Sequence, residues 1–117
     1  MKNIDNFFFA ADDLNESKKF YTELLGLEVK FDFSPMGMMA FRIGQDEPAI
    51  ILKEKSSFPD ASPSLWLEVA DVKASYEELK AKGIQFLSEP FEIKTGWAVE
   101  FLDPSGNRLG ITDYTKK

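Results

Sequence analysis

Neither cysteine nor histidine occurs anywhere in the 117 residues. Without cysteine there are no disulfides and no thiol chemistry, and nothing indicates an oxidising compartment. With both residue types missing, a metal site has to be built from carboxylates and amides, an oxygen set suited to magnesium or calcium rather than to a typical zinc or iron centre. Basic residues are also short, 14 against 20 acidic ones for a formal net charge of −6. That balance repels phosphate backbones and anionic lipid, so neither nucleic acid nor a membrane surface is expected as a partner. It suits a solvated surface and would attract a cationic ligand. No apolar run approaches the roughly 20 residues of a membrane span. Met1 to Asp5 lacks the basic, apolar and small-residue order of a signal peptide, which places the chain in the cytoplasm as an expectation. Phosphate-binding loops, a nucleophile elbow and a basic stripe are missing as well.

What the chain has is apolar and aromatic material, 44% hydrophobic and 14% aromatic residues including 11 phenylalanines. A chain this long is one small domain, able to bury roughly two-thirds of its unfolded surface. It is organised around Asn6 to Gly26, NFFFAADDLNESKKFYTELLG, because the same plan returns at Ser64 to Gly83, SLWLEVADVKASYEELKAKG. The copies lie 58 residues apart, from 6 to 64 and again from Asp13 to Asp71. Each is an apolar run, an Asp able to cap a helix, and an amphipathic helix closed by glycine. The expectation is a single domain over 1–117, with module one at 1–54, a linker at 55–63 and module two at 64–114.

Asn3 to Ala11 fits a strand buried on both faces. Asp13 and Glu16 form a D-x-x-E capping box, and Leu14, Phe20, Tyr21, Leu24 and Leu25 recur at helical spacing as one apolar stripe. Leu27 to Phe33 alternates Leu, Val, Phe and Phe with Glu, Lys and Asp, as a strand with one wet face does. After a turn at Ser34 to Gly37, Met38 to Ile43 and Ala49 to Leu52 read as strands around a polar turn at Gly44 to Pro48. Lys53 to Pro63, with two prolines and three serines, has no apolar period and joins the modules.

In module two, Ser64 to Val69 reads as a strand and Val72 to Lys82 as a helix with Val72, Tyr76 and Leu79 inward. Ile84 to Leu87 reads as a short strand, and Ser88 to Thr95 stays open between loop and weak strand. Trp97 to Leu102 and Leu109 to Thr112 form a hairpin around Asp103 to Asn107. The predicted class is α+β, two tandem β-α-β-β-β modules. They would form a curved, mostly antiparallel eight-stranded sheet around a cavity, with the helices on the outer face.

DLNESKKFYTELLGLEV resembles the signature helix and strand of the vicinal oxygen chelate superfamily, which includes glyoxalase I, extradiol dioxygenases, fosfomycin-resistance enzymes and bleomycin-resistance proteins. SLWLEVADVKASYEELKAKGI and FLDPSGNRLGI are similar to the second module of that family, and the resemblance covers nearly the whole chain. In the catalytic members a His usually sits seven residues before each capping Asp, and here those positions are Asn6 and Ser64. The family's Glu after the DPSGN-type turn falls at Gly110, and its remaining ligand in the aliphatic stretch Ile50 to Leu52. The resemblance therefore implies a member with no metal, no other cofactor and no catalytic residue set, closest in character to the bleomycin-resistance branch. It also implies a homodimer.

Strand parity selects the candidate ligand-binding residues. If Asn6 faces the cavity, so do Phe8 and Ala10, while Phe7 and Phe9 pack under the helices. By the same parity Trp66 and Glu68 join Ser64, and Arg108 and Thr112 join Gly110. Trp97 either stacks a ligand or covers the second helix. Asn6, Phe8, Ser64, Trp66, Glu68, Trp97 and Arg108 are thus the expected ligand contacts, rings for stacking and a few polar groups for orientation. Met36, Met38 and Met39, flanked by Phe31, Phe33 and Phe41, supply either core filling or an adaptable binding surface. The expected function is metal-free sequestration of a small, partly aromatic or cationic molecule. The alternatives are a metal-independent isomerase or lyase using Glu68 or Glu100 as base, and a module that only docks a partner. Tyr76 to Lys80 matches a dehydrogenase Tyr-x-x-x-Lys but lacks a dinucleotide loop. Asn15-Glu16-Ser17 is a sequon within a helix, and Asp103 to Asn107 lacks the spacing of a calcium loop.

Overall fold

The structure, a computed structural model, describes residues 3–44 and 48–116. Most of the polar turn expected at Gly44 to Pro48 lies outside them. The described chain has eight strands and two helices in an α+β arrangement, and its contacts divide it into two compact units. One is residues 6–63. The other is Ser64 onward together with the residues up to Asp5. No helix among the described residues is long and apolar enough to cross a membrane.

The first unit runs β1 (Asn3–Ala11), α1 (Leu14–Lys19), β2 (Glu28–Phe33), β3 (Met38–Arg42) and β4 (Ala49–Glu54), with β1 shared at its start with the second unit. Its strands lie in the order β2-β3-β4-β1. β4 pairs parallel with β1 and the other pairs are antiparallel. Leu14 and Tyr21 from the helical segment pack on Met39, Phe41 and Leu52, so one face of these strands is covered. The second unit repeats the plan with β5 (Ser64–Glu68), α2 (Val72–Ala81), β6 (Phe91–Ile93), β7 (Gly96–Leu102) and β8 (Arg108–Thr112), ordered β5-β8-β7-β6. β8 is parallel to β5, and Val72, Tyr76 and Leu79 pack on Val99, Phe101 and Ile111.

Both helices begin where the capping aspartates put them. Asp13 accepts hydrogen bonds from the Asn15 and Glu16 amides, and Asp71 accepts one from Ala74. A second carboxylate reaches each helix from the far end of its own module. Glu54, at the end of β4, accepts from the Leu14 amide at 3.0 Å, and Asp113, just past β8, accepts from the Val72 amide at 2.7 Å. The parallel pairing explains this, because β4 ends beside β1 and β8 beside β5, where the helices start.

Four expectations are corrected. β1 is not buried on both faces, since Ile4 and Phe9 are exposed. The first helix widens into a π-helical turn at Phe20–Leu24, with the Leu25 amide bonded to the Phe20 carbonyl. A wider turn rotates the residues after it out of the α-helical register. The apolar stripe therefore breaks, leaving Phe20 and Leu25 exposed and Leu24 76% exposed. β2 is not a simple alternating strand, because its register to β3 shifts between Val29 and Phe31. Val29 pairs with Phe41 on the helix-covered face, whereas Phe31 and Phe33 pair with Ala40 and Met38 on the opposite one. Ile84 to Leu87 forms only an isolated bridge, Phe86 to Phe101, and the third strand of the module is Phe91–Ile93 instead. Ile84 and Phe86 pack against the helix-side core, so an apolar run that resembles a strand serves as core filling.

Candidate functional site

In each unit the helix covers one face of the strands, and every polar candidate residue falls on the other face. In the second unit the register sets out that face in rows. Ser64 pairs with Arg108, which pairs with Leu102; Trp66 pairs with Gly110, which pairs with Glu100; Glu68 pairs with Thr112, which pairs with Ala98. Ser64, Trp66, Glu68 and Arg108 are therefore brought together as the sequence indicates. Glu100 joins them, with one carboxylate oxygen 3.6 Å from the Arg108 Nε and both side chains half-buried.

Trp66 is 7% exposed, and its indole lies flat against Gly110. A Cβ added at Gly110 would fall 2.5 Å from two of the ring carbons. Beside it, the Trp66 Nε1–H donates to the Ser64 hydroxyl at 3.2 Å. Glu68 accepts from the Asn3 side-chain amide at 3.3 Å. Thr112 turns its hydroxyl to the Trp97 carbonyl and so closes a strand rather than facing a ligand.

Trp97 leaves the group. It shares its face with Val99 and Phe101, and Lys73 of α2 sits 3.7 Å from its ring centroid. Of the two places open to it in the sequence, the structure gives the one over the helix.

In the first unit, Asn6 and Phe8 lie on the helix-free face. The Asn6 side-chain oxygen accepts from the Ala49 amide at 3.3 Å. Phe8 lies under the Lys53 ammonium, 4.6 Å from its ring centroid, and Phe58 approaches the same ammonium at 5.2 Å. Lys53 carries no sequence signal beyond its place at the start of a polar linker. It was recoverable only by extending β4 two residues, which puts it on the face of Ile51 and Phe8.

The family's metal does not fit these residues. Where its four ligands would project, Asn6 is bonded to a backbone amide and the Ser64 oxygen to an indole N–H. Gly110 lies beneath a ring, and Ile50 to Leu52 offers only hydrocarbon. Among the described residues no three carboxylates come together as a cation site. The Asp103 turn is satisfied from within, because its carboxylate accepts from the Ser105 and Asn107 amides and from the Asn107 side chain. The last of these, first among the causes, holds the Asp103 carboxyl below the usual range.

A residue that the sequence reading missed is Asp113, 1% exposed. Besides the Val72 amide it accepts from the Trp97 amide at 2.9 Å and the Thr115 hydroxyl at 3.0 Å. Gly96 has no side chain because that carboxylate occupies the space, 2.1 Å from where a Cβ would stand.

A family model described as Glyoxalase/Bleomycin resistance protein/Dioxygenase superfamily matches residues 3–111. The chain is 28% identical over 114 residues to the uncharacterized protein YetH of Bacillus subtilis strain 168, covering 92% of this chain and 94% of that one. It is similar in structure to a glyoxalase/bleomycin resistance protein/dioxygenase superfamily member from Vibrio splendidus, with a TM-score of 0.68, 19% identity and 92% and 95% of the two chains covered. It is also similar to the methylmalonyl-CoA epimerase of Streptomyces coelicolor, with a TM-score of 0.75, 19% identity and 99% of each chain covered. At such identities the structural likeness shows the fold.

Proposed function

The chain belongs to the glyoxalase/bleomycin resistance protein/dioxygenase superfamily, and from that premise we propose that it binds a small, partly aromatic or cationic molecule without using a metal. The observation that carries this reading is the indole of Trp66 lying on Gly110. An aromatic plate takes the place of a carboxylate ligand, with Glu68, Glu100 and Arg108 on the same face to orient a bound molecule. An indole beside carboxylates suits a planar ring or a cation, through stacking and cation–π attraction. Asn6 and Phe8 belong to the proposal as groups on the helix-free face of the first unit. A homodimer belongs to it too, testable as twice the 13.3 kDa chain mass by light scattering.

A thermal-shift screen against planar aromatic amines and divalent metals tests the reading. A ligand at a hundred times its dissociation constant stabilises by about 2.7 kcal/mol, which moves the melting temperature of a small domain by several degrees. The expected result is a shift with an amine that the Trp66→Phe and Glu68→Gln variants reduce at least tenfold in affinity. A shift with manganese, nickel or zinc instead would overturn it.

The half-buried Glu100–Arg108 pair beside Trp66 supports a second reading, a metal-free isomerase or lyase with Glu100 or Glu68 as base. The Streptomyces coelicolor protein of similar fold is an epimerase. This reading requires turnover of a carbon acid that the Glu100→Gln and Glu68→Gln variants lose. Full activity in both would remove it.

A further inference from the structure

We propose that the π-helical turn at Phe20–Leu24 is the surface on which two copies of the chain meet, packed antiparallel across a two-fold axis. The proposal rests on the homodimer reading given above and names its contact surface, using none of the residues assigned to ligand binding. Tyr21 turns inward from this segment and stacks on Phe41, centroids 4.9 Å apart. Phe20, Leu24 and Leu25 point the other way and stay 48%, 76% and 53% exposed. Because a π-helical turn bonds each residue to the fifth one on, side chains four and five apart stand together. The three therefore form one patch on the order of 300 Å², the size at which an exposed apolar patch marks an interaction site.

The repeat shows that this face is apolar in one module alone. At the positions 58 residues on, Phe20 and Leu24 become Glu78 and Lys82, an ion pair at 3.7 Å on the solvent side of α2. Module two thus has a helix face suited to water, and module one has hydrocarbon in its place. A stable dimer takes about 800 Å² from each partner, so the patch supplies the apolar centre of such an interface and leaves the rim to polar neighbours. That rim selects the occupant. Lys18 is engaged with Asp32 at 3.8 Å, which leaves Lys19 and Glu23, both exposed, as a cation and an anion beside the patch. Over residues 14–25 the charges balance, Glu16 and Glu23 against Lys18 and Lys19, although the whole chain carries −6. An acidic partner is repelled by the chain as a whole, and a basic one is drawn to its more acidic parts. A second copy meets a neutral patch that is complementary to itself. With the axis near Thr22, Phe20 of one copy faces Leu24 of the other and Lys19 approaches Glu23, each contact occurring twice.

Light scattering over a concentration series reads the mass, expected at twice the 13.3 kDa of the chain. Leu24→Glu, a change at an exposed position in the centre of the interface, should weaken the dimer by about tenfold or more and leave the circular dichroism spectrum unaltered. Lys19→Glu and Glu23→Lys should each weaken it by about threefold, and an equimolar mixture of those two variants should regain the parent affinity, because the mixed dimer restores opposite charges. Unchanged dimer affinity in Leu24→Glu would overturn this surface and leave the homodimer reading standing. A mixture of the charge variants that associates no better than either alone would overturn the antiparallel contact. A parent chain that keeps its single-chain mass at millimolar concentration would overturn the surface and the homodimer reading together.

Discussion

Asp113→Ala is expected to lower the unfolding free energy by about 4 kcal/mol. The side chain is buried and accepts from the Val72 and Trp97 amides and from Thr115. Leaving a buried donor unsatisfied costs about 1–3 kcal/mol, and here two backbone amides are stranded together. The helix also loses a negative charge at its start. For a domain whose total stability is about 5–15 kcal/mol, the loss is visible as a large fall in the urea midpoint at neutral pH. A change below about 1 kcal/mol would contradict the role given to Asp113.

The same group sets part of the acid limit of stability. Burial by itself raises its pKa, but the hydrogen bonds from Val72, Trp97 and Thr115 outweigh that and hold the carboxyl below its ordinary value. The unfolded chain therefore takes up this proton first as pH falls. The contribution is complete above about pH 4 and is lost as pH falls through the folded pKa. Asp113→Asn should be less stable at neutral pH and should lose less stability on acidification than the parent chain.

Gly110→Ala is expected to cost about 2–3 kcal/mol and to dislodge Trp66. The new methyl would meet the fused middle of a buried indole at 2.5 Å, where no swing of a flexible tip relieves it. Indole emission should move to longer wavelength as the ring leaves its seat. In a double-mutant cycle, Trp66→Ala and Gly110→Ala together should cost clearly less than their separate effects added, because removing the ring removes the clash. Additive costs would show that ring and glycine are not coupled. A glutamate at 110 would likewise meet the indole of Trp66 where it now lies, so placing a carboxylate at that position requires the aromatic plate to move.

The doubled module was legible because each copy repeats the same cues in order: apolar run, capping aspartate, helix and closing glycine. The grouping of Ser64, Trp66, Glu68 and Arg108 was legible from period-two parity, since β5 and β8 run without interruption. Parity failed where backbone geometry changed without a marker residue. The register shift beside Lys30 has neither glycine nor proline to announce it, and it reversed the face of Phe31 and Phe33. The π-helical turn similarly undid the apolar stripe of α1. Trp97 could not be placed because both faces of its strand carry apolar residues, Val99 and Phe101 on one and Ala98 and Leu102 on the other, so alternation alone does not say which face the helix covers. Asp113 was readable in principle. It and Glu54 stand 59 residues apart at the ends of the two modules, one more than the repeat, but a lone carboxylate after a strand ordinarily signals a solvated turn.

Asn3 to Asp5 belong with residues made much later. Asn3 bonds Glu68 across 65 residues of sequence, and the Tyr114 hydroxyl bonds Asp5 across 109. At a ribosomal rate of about 5–20 residues per second, the first strand waits roughly 5–20 s for that last contact. The module synthesised second can therefore finish only by drawing on the segment that emerged first. Trimming three residues from the front of β1 would remove the Asn3–Glu68 and Asp5–Tyr114 bonds and so loosen the back half of the protein.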